Sequence, residues 1–516
     1  MNEVPGLTRA ALHRARISRD ARFDGKFYIA VLTTGIYCRP ICPAPRCRKS
    51  NVRYYATAAA AAAAGYRPCR RCRPEVAPGS AAWLGPSAVV RRALRLIQQG
   101  ALDDGTVEEL ATRVGVGARH LDRLFAEHVG VPPIAVAQTR RLHFAKQLLD
   151  ETNLPITQVA MTAGFGSLRR FNEAYRTAYR CTPRGTRQRR RTDPAPGRDE
   201  EVSLTLSYRP PYDFGRLAEF LRARALRGVE RADAGGYART IRLGRRYARI
   251  RVAPLAKENA LRLTVSRAEP GDLFEIATTA RRAFDLSADP APIAAVLSAD
   301  PLLAPLVRRC PGLRVPGVWD TFECAVRAIV SERMSVAAAR RLTERLVERC
   351  GERIGDSPEE LTCLFPSAER LASADLTDLG LAAGKRAGLR SLARAVRDGR
   401  LELDAPAEQL VAALAALAGV GPWVAQYVAL RALGEPDAFP RGDLALRRAV
   451  AGASGTLPVA ALARRAEGWR PWRGYATLHL WRKAADGSGG GARRARAPPN
   501  ERRSATAGTM PAARPG

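Results

Sequence analysis

Four cysteines near the N-terminus have the residue type and the spacing of a metal site. Cys38 and Cys42 form one close pair, and Cys69 and Cys72 form a second pair after 26 intervening residues. Four thiolates arranged in two such pairs suit the tetrahedral coordination of Zn²⁺. The competing interpretation is a pair of disulfides. No signal peptide is recognisable and the other cysteines are scattered, which favours a reducing compartment and therefore zinc.

The residues around these cysteines resemble the N-terminal zinc domain of Ada-type DNA-repair and adaptive-response regulators. The similarity covers residues 20–76 and is clearest in Thr33–Cys42 and Gly65–Cys72. In that family the cysteine that matches Cys38 accepts a methyl group from a methylphosphotriester in DNA, so the resemblance implies this role for Cys38. The chemistry is reasonable because a thiolate is a strong nucleophile and a metal keeps it deprotonated.

The charge of the zinc site affects how strongly the domain binds DNA. Four thiolates on Zn²⁺ are net negative, and methylation of one of them reduces that charge, so we expect the methylated domain to bind duplex DNA better. Arg39 and Arg67, which lie beside the cysteines, are predicted DNA contacts. The alternative is an inert zinc site, because spacing alone does not establish reactivity. Cys47 departs from the family pattern, either as a competing ligand or as an oxidisable thiol.

A second reactive centre is indicated in the C-terminal half. Leu417–Trp423, which contains Gly419 and Gly421, separates two apolar segments and has the pattern of a helix-hairpin-helix motif. Such glycines let the backbone approach DNA, and their N–H groups can hold phosphate oxygens. The loop Phe439–Asp443 follows and opens another predicted helix at its acidic residue.

Hairpin, loop and Asp443 in this order resemble the HhH-GPD glycosylase superfamily. Tyr208–Asp213, Gly312–Gly317 and Trp472–Ala476 are similar to AlkA-type 3-methyladenine DNA glycosylases, over residues 202–484 in all. The resemblance implies that Asp443 is the catalytic carboxylate. Its alternative role is that of a helix N-cap, which Asp fills well.

The chemistry follows from an alkylated purine that is already cationic and is therefore a good leaving group. A carboxylate beside the sugar stabilises the oxocarbenium-like transition state, after the base has left the stack. Aromatic faces attract a cationic base, and the residues that match the family's pocket are Trp423, Tyr427, Trp481 and, more weakly, Phe220. Each of them is also compatible with ordinary core packing. Relatives that nick the strand have lysine where this chain has Trp423, so we predict a glycosylase without lyase activity.

Two positions depart from the glycosylase pattern. Ser331–Arg333 replaces the usual Gly-Gln followed by Gln or Leu in the loop that wedges into DNA. Glu332 would be repelled by phosphates, whereas Arg333 is predicted to fill the gap left by the flipped nucleotide. Leu444 follows Asp443 where an aromatic residue is common. These changes bear on lesion range and rate more than on the type of reaction.

Two helix-turn-helix patterns lie between the reactive centres, in Val107–Phe125 and Pro155–Phe171. One such pattern is often an ordinary helical hairpin. Two at this spacing, followed by Cys181-Thr182-Pro183, resemble the AraC-type DNA-binding domain over residues 88–186. The predicted groove-facing residues are Arg119, His120 and Arg123 in the first unit, and Arg169, Arg170 and Asn172 in the second.

Length and net charge indicate the number of domains and the kind of partner. The chain has 516 residues and a net charge of +34, which indicates a polyanionic partner. The excess of Arg over Lys partly reflects codon composition rather than selection for binding. We predict a multidomain, mainly α fold with a small α+β subdomain. The expected division is a zinc domain at 1–82, a double helix-turn-helix domain at 87–190, an α+β subdomain at 202–280, a helical HhH-GPD domain at 281–484 and a disordered basic tail at 485–516.

The predicted function is a bacterial alkylation-response protein, cytoplasmic and associated with the nucleoid, that binds Zn²⁺ and double-stranded DNA. It would accept methyl groups, activate promoters together with RNA polymerase, and excise alkylated bases as a DNA-3-methyladenine glycosylase. The Pro-Cys-His-Arg motif of the Ada methyltransferase domain is missing, so repair of O6-methylguanine is not expected. The alternatives are a regulator whose glycosylase half only grips DNA, and a nucleoid-coating protein that uses charge alone.

Overall fold

The computed structural model describes residues 4, 6–78, 88–189, 201–355, 360–452 and 455–494. In these ranges the chain is mainly helical and contains a four-stranded, a five-stranded and a two-stranded sheet. The predicted fold class is confirmed. Residues 79–87 and 190–200, at two of the expected domain boundaries, and residues 495–516 of the expected tail lie outside the described residues.

The N-terminal region is a small sheet that brings the two cysteine pairs together. Strand β2 ends at Cys38, strand β4 is followed directly by Cys69, and the two strands pair in parallel. Their ends therefore lie side by side at one edge of the sheet, whose strand order is β3-β1-β2-β4. The elements are α1 (Arg9–Ser18), β1 (Tyr28–Val31), β2 (Ile36–Cys38), β3 (Val52–Tyr55), α2 (Ala58–Ala63) and β4 (Arg67–Pro68).

The middle region contains both predicted helix-turn-helix units. Thr106 and Glu109 form a reciprocal capping box that starts the first unit, and Gly115 makes its turn with a positive φ of 80°. Ser167 caps the recognition helix of the second unit. A long helix, α6, joins the two units. The helices are α3 (Ala88–Gln98), α4 (Val107–Arg113), α5 (Ala118–His128), α6 (Pro133–Glu151), α7 (Ile156–Thr162), α8 (Leu168–Tyr179) and α9 (Pro183–Gln188).

A five-stranded antiparallel sheet follows, with the strand order β5-β9-β8-β7-β6. Its apolar face shares one core with the second helix-turn-helix unit, so that Leu148 and Phe171 pack in the same cluster as Leu261 and Ile276. The elements are β5 (Glu201–Ser207), α10 (Phe214–Arg222), β6 (Glu230–Asp233), β7 (Gly236–Leu243), β8 (Arg246–Pro254), β9 (Ala260–Ser266) and α11 (Leu273–Ala283).

The C-terminal region is a helical assembly built around two cores, and one helix belongs to both. Helix α19 places Val424 and Val428 in the first core and Ala429 and Leu430 in the second. Burial on both sides explains why this helix lacks a polar face. The elements are α12 (Pro290–Leu297), α13 (Ala304–Arg309), α14 (Thr321–Ser331), α15 (Val336–Cys350), β10 (Glu352–Arg353), β11 (Cys363–Leu364), α16 (Ala368–Ser373), α17 (Ala383–Arg397), α18 (Ala407–Ala415), α19 (Pro422–Arg431), α20 (Leu444–Ala451), α21 (Val459–Ala466) and α22 (Arg473–Arg494).

Helix α22 continues to Arg494, beyond residue 484 where we expected the last folded domain to end. The glycines at 487 and 489–491 suggested a break because Gly is a poor helix former. None of the described helices combines the length and the apolar character that crossing a membrane requires.

Buried polar contacts join the zinc region to the C-terminal half. Lys26 Nζ lies 2.5 Å from Asp289 Oδ2, and both side chains are almost completely buried. Arg209, which is fully buried, donates from Nε to the carbonyl of Asp24 at 2.8 Å and from Nη1 to the carbonyl of Ser287 at 2.8 Å. The N-terminal and C-terminal regions therefore pack directly on each other.

Candidate functional sites

The four cysteine sulfurs converge into one cluster. All four Sγ atoms lie within 4.8 Å of one another, and those of Cys42 and Cys69 are 3.9 Å apart. A Zn–S bond of about 2.3 Å in a tetrahedron requires sulfurs about 3.8 Å apart. The donor set and its size therefore fit zinc, which confirms the predicted cofactor. Cys47 lies outside this cluster.

Backbone N–H groups donate hydrogen bonds to sulfurs of the cluster. The backbone N–H of Arg39 donates to Cys72 Sγ at 3.3 Å. Backbone N–H groups of Ala44 and Cys72 likewise face the sulfurs of Cys42 and Cys69. Such hydrogen bonds withdraw electron density from the sulfurs that accept them. Cys38 is 8% exposed, and Cys42 is the more accessible.

Arg39 does not face DNA, and the prediction for this residue is corrected. Its guanidinium is buried in an ion pair with Asp24, and its Nη1 donates to the carbonyl of Cys72 at 3.0 Å. A basic residue beside the cysteines suggested a phosphate contact, but Arg39 instead stabilises the cysteine-bearing loop through buried contacts. Arg67, on strand β4, is half-buried and remains a candidate DNA contact.

Asp443 lies at the N-terminus of helix α20 and is also hydrogen-bonded to Trp423, one of the predicted pocket residues. Its Oδ1 accepts from the backbone N–H of Leu446 at 2.8 Å, and its Oδ2 accepts from Trp423 Nε1 at 2.8 Å. The N-cap role and the functional role are therefore compatible in one residue. The two hydrogen bonds fix the plane of the carboxylate beside Trp423. The neighbouring Leu444 is 47% exposed.

The predicted pocket aromatics lie together. Trp423 stacks on Tyr427 with ring centroids 5.0 Å apart, and Tyr427 lies 6.0 Å from Trp481. Phe220 joins this cluster through Arg431, whose guanidinium is 4.9 Å from the Phe220 ring and 5.3 Å from the Tyr427 ring. An aromatic wall that ends at a carboxylate offers stacking for a flat base and negative charge for the sugar.

Two arginines behind the pocket had no sequence signal. Arg431 donates to the hydroxyl of Tyr427 and to the carbonyl of Pro316. Arg224 lies 3.7 Å from the Phe220 ring, and burial lowers its pKa to about 10. These side chains hold Phe220 and Tyr427 in place. Their partners are distant in sequence, so a local pattern does not reveal them.

The hairpin packs tightly on helix α17. Gly419 has φ of +78°, and a Cβ on it would lie 2.6 Å from the backbone nitrogen of Gly388. Gly421 is different, because a Cβ there would meet only the carboxylate of Glu332, at 3.2 Å. The N–H groups at the start of α19 stay open to a phosphate apart from this acidic side chain.

The turn after helix α14 presents the predicted wedge. Arg333 is exposed and has φ of +57°, an unusual conformation for a residue other than glycine. Lys385 of α17 holds this turn by donating from Nζ to the carbonyls of Val330 at 2.5 Å and Glu332 at 2.8 Å. No local sequence pattern singles out Lys385.

The predicted groove-facing arginines of both recognition helices are exposed. Arg119 and Arg123 lie on α5, and Arg169 and Arg170 lie on α8. Leu121 and Phe125 on one helix and Phe171 and Tyr175 on the other are buried on the opposite faces. His120 is also exposed and pairs with Arg123 at 2.9 Å, and Asn172 is half-buried.

Comparison with known protein families finds four matches along the chain. The metal binding domain of Ada matches residues 11–75, and a helix-turn-helix domain matches residues 110–189. The AlkA N-terminal domain matches residues 203–320, and the HhH-GPD superfamily of base excision DNA repair proteins matches residues 326–473. Each match falls on a region where the geometry above provides the corresponding site.

Individual relatives agree with this arrangement. A probable bifunctional transcriptional activator/DNA repair enzyme AlkA of Mycobacterium tuberculosis is 42% identical over 475 residues, which are 91% of this chain and 95% of that protein. DNA-3-methyladenine glycosylase 2 of Escherichia coli is 35% identical over 54% of this chain and 96% of its own length. The Escherichia coli bifunctional transcriptional activator/DNA repair enzyme Ada is 37% identical over 32% of this chain and 45% of its own length.

Proposed function

The chain belongs to the family of bifunctional transcriptional activator/DNA repair enzymes of the AlkA type, and we propose that it responds to DNA alkylation through two separate reactive centres. One centre is the thiolate of Cys38, and the other is the carboxylate of Asp443. We assign zinc binding to residues 1–82, promoter recognition to 87–190 and base excision to 202–484, in keeping with the family matches.

The observation that carries the excision proposal is the hydrogen bond between Trp423 and Asp443, because it joins the stacked aromatic wall to a carboxylate of fixed orientation. An N3-methylated adenine is cationic, so it stacks favourably on Trp423 and Tyr427. As the N-glycosidic bond breaks, its electron pair goes to the purine and positive charge develops on the sugar beside Asp443. Water then adds to the anomeric carbon and releases a proton to solvent.

Strand cleavage is not part of this proposal. A lyase needs an amine nucleophile to form a Schiff base with the sugar. The hairpin position that would hold it carries Trp423, and the indole N–H is already engaged by the carboxylate. We therefore assign a monofunctional DNA-3-methyladenine glycosylase.

The test of excision uses duplex DNA treated with a methylating agent. Chromatography of the supernatant should show free 3-methyladenine with the wild type and at least about 100-fold slower release with Asp443→Asn. Asn retains the cap, so the variant should keep its fold and its affinity for DNA. Equal release by both proteins would remove Asp443 from catalysis. If the wild type released no base, the alternative function would be favoured, in which the C-terminal half binds DNA without catalysis. The acidic Glu332 beside the hairpin supports that alternative.

The methyl-acceptor proposal is supported by the four-sulfur cluster and by the match to the metal binding domain of Ada. Zinc, when bound, keeps all four cysteines as thiolates. Cys38 Sγ attacks the methyl carbon of a methylphosphotriester. A C–S bond forms as the C–O bond breaks, and the phosphate oxygen leaves with the electron pair as an ordinary phosphodiester. The transfer occurs once per molecule because the proposed step does not convert the thioether back to a thiolate.

Peptide mass spectrometry after incubation with methylated DNA tests this assignment. We expect the mass of one methyl group on the peptide that contains Cys38. Cys38→Ser should abolish the modification, whereas Cys47→Ser, outside the metal cluster, should leave it intact. Zinc content is measured in parallel so that loss of metal is distinguished from loss of the acceptor. A methyl group on Cys42, the more exposed ligand, would overturn the choice of cysteine.

Promoter activation is proposed through the two exposed recognition helices. Double substitution of Arg119 and Arg123, or of Arg169 and Arg170, to Ala should weaken binding to a specific site while base release persists. Footprinting with the methylated and unmethylated protein measures the effect of the modification. Transcription in vitro with bacterial RNA polymerase tests whether that enzyme is the partner. Unchanged footprints in both double variants would contradict the assignment of these helices.

A further inference from the structure

A cavity of about 560 Å³ lies where the middle region meets both halves of the molecule. Among the described elements, helices α3, α6 and α11 contribute the largest numbers of lining residues. Neither reactive centre opens into it, because none of the four clustered cysteines and neither Asp443 nor Trp423 is among its lining residues. Its volume is in the range of sites for small organic ligands.

The cavity is rich in arginine. The guanidinium-bearing residues on its wall are Arg92, Arg95, Arg140, Arg281 and Arg282. An Arg side chain stays charged in proteins, so its burial has to be compensated by a partner. Arg95 has such a partner in Glu435 at 2.7 Å, and Arg140 pairs with Asp103.

Arg281 and Arg282 lack comparable partners. Arg281 makes one long hydrogen bond, from Nη1 to the carbonyl of Ser207 at 3.4 Å. Arg282 makes no side-chain hydrogen bond or ion pair with any described residue, and its Nε is buried without a partner. Arg92 also has a buried, unpaired Nη2 and lies 3.9 Å from the exposed Glu408. Burial lowers the pKa of Arg281 to about 10.

The acidic residues of the wall already have partners, and Glu408 pairs with the wall residue Arg92. Glu75 pairs with Lys146 at 3.4 Å, Asp285 accepts from Tyr475 at 2.7 Å, and Asp437 pairs with Arg473 at 2.8 Å. Glu435 is engaged by Arg95. Among the described residues, neither Arg281 nor Arg282 has an ion-pair partner within 4 Å, although Glu151 attracts the first and Asp320 the second from farther away.

The rest of the wall is largely apolar. Phe144 and Phe274 meet edge to face with centroids 5.1 Å apart, and Ile97 and Val136 also line the cavity. The guanidinium of Arg140 already lies over the Phe274 ring, 4.1 Å from its centroid, so a flat ligand ring would pack on the remaining aromatic and aliphatic surface. The combination is a site with one charged and one apolar end.

We propose that this cavity binds a small phosphorylated ligand of the size of a nucleoside monophosphate. The phosphate lies on Arg281 and Arg282, whose forked donors match phosphate oxygens, and the ring lies against Phe144 and Phe274. The ligand neutralises the buried charge that the protein leaves unpaired. Because helices from the middle region and from the glycosylase half both contact it, its binding also stabilises their packing.

Calorimetric titration of the full chain with AMP, adenosine and inorganic phosphate tests the site. We expect AMP to bind, phosphate to bind more weakly and adenosine not to bind. Arg281→Gln and Arg282→Gln should each weaken AMP binding by at least about tenfold, because each removes a charged donor. The matched control is Arg308→Gln, which changes an exposed arginine of α13 and should leave the affinity unchanged.

The melting temperatures of the variants without ligand show whether a loss of AMP binding comes from a folding defect. Removal of an unpaired buried charge should leave the melting temperature of Arg282→Gln equal to or above that of the wild type, while the rise caused by AMP is lost. Absence of any response of the wild type to millimolar AMP or phosphate would overturn the proposal. Normal AMP binding by both variants would also overturn it. If the two variants lost affinity only for duplex DNA, the proposal would likewise fail, because the cavity would then be part of the DNA-binding surface.

Discussion

At the scale of single residues, Asp443 shows how one side chain can cap a helix and also contact the aromatic cluster. One carboxylate oxygen caps helix α20 and the other accepts the indole N–H of Trp423. The cap fixes the backbone, and the indole fixes the plane of the carboxylate relative to the aromatic wall. The choice between a cap and a catalytic group, which the sequence left open, is therefore not exclusive.

Trp423→Phe isolates the contribution of that hydrogen bond. The substitution keeps an aromatic ring for stacking on Tyr427 and removes the donor to Asp443. A hydrogen bond to a charged group contributes about 1.5–3 kcal/mol, so base release should slow by about 10- to 100-fold. Single-turnover release of 3-methyladenine measures the effect. Trp481→Phe, which retains the ring and touches no catalytic oxygen, should change the rate less; equal losses would mean that only stacking matters.

Asp285 predicts a pH dependence of stability. Burial raises the pKa of this carboxyl from 3.8 to about 6. Because the folded state holds the proton more tightly than the unfolded state, stability is highest below pH 4 for this group and falls as pH rises towards 6. Asp285→Asn removes the ionisation and suits the positive φ of 50° at this position. The variant should melt higher than the wild type at pH 7.5 and nearly equally at pH 4.5; a constant difference would refute the assignment.

At the scale of elements, the hairpin between α18 and α19 shows what the sequence could and could not predict. Gly419, Gly421 and Asp443 were found because spacing and residue order within a short segment specify a hairpin and a following helix. Arg39 was assigned wrongly, and Lys385 and Arg431 were missed, because their partners are far away in the sequence. The extension of α22 was not foreseen because its glycines argue against a helix.

The two hairpin glycines should respond differently to alanine. Gly419→Ala forces a Cβ to within 2.6 Å of the Gly388 backbone at a positive φ, so it should lower the free energy of unfolding by about 1–3 kcal/mol or more. Gly421→Ala meets only the movable Glu332 side chain and should change stability much less. Denaturant unfolding measures both. Equal destabilisation would show that hairpin packing is not the reason for glycine at 419.

At the scale of the whole molecule, the regions pack against one another and are not independent domains joined only by linkers. The second helix-turn-helix unit shares a core with the five-stranded sheet, and the zinc region docks on the C-terminal half through Lys26, Asp289 and Arg209. Family matches identify each region by its own motifs. They do not reveal this packing, because the residues that make it belong to no motif.

The Lys26–Asp289 pair should be essential for this docking. Lys26→Met leaves a buried carboxylate without its partner, which costs about 3–5 kcal/mol of unfolding free energy. The double variant Lys26→Met/Asp289→Leu should recover part of the loss because the carboxylate left by Lys26 is removed, but it also loses the attraction of Asp289 for Arg209 and the cap on Ala291. Arg246→Met, which breaks the exposed pair with Asp272, is the control and should have little effect. Chemical unfolding followed by fluorescence measures all four proteins. A double variant no more stable than the single would contradict the buried-pair account.

The central claim is that one chain contains two independent reactive centres for alkylated DNA. The most direct measurement incubates the protein with duplex DNA that carries radiolabelled methyl groups, then counts label bound to protein and label in free bases. Wild type should show both, Cys38→Ser only free bases, and Asp443→Asn only labelled protein. If either substitution removed both signals from a folded, zinc-loaded protein, or if the wild type gave neither, the account would be contradicted.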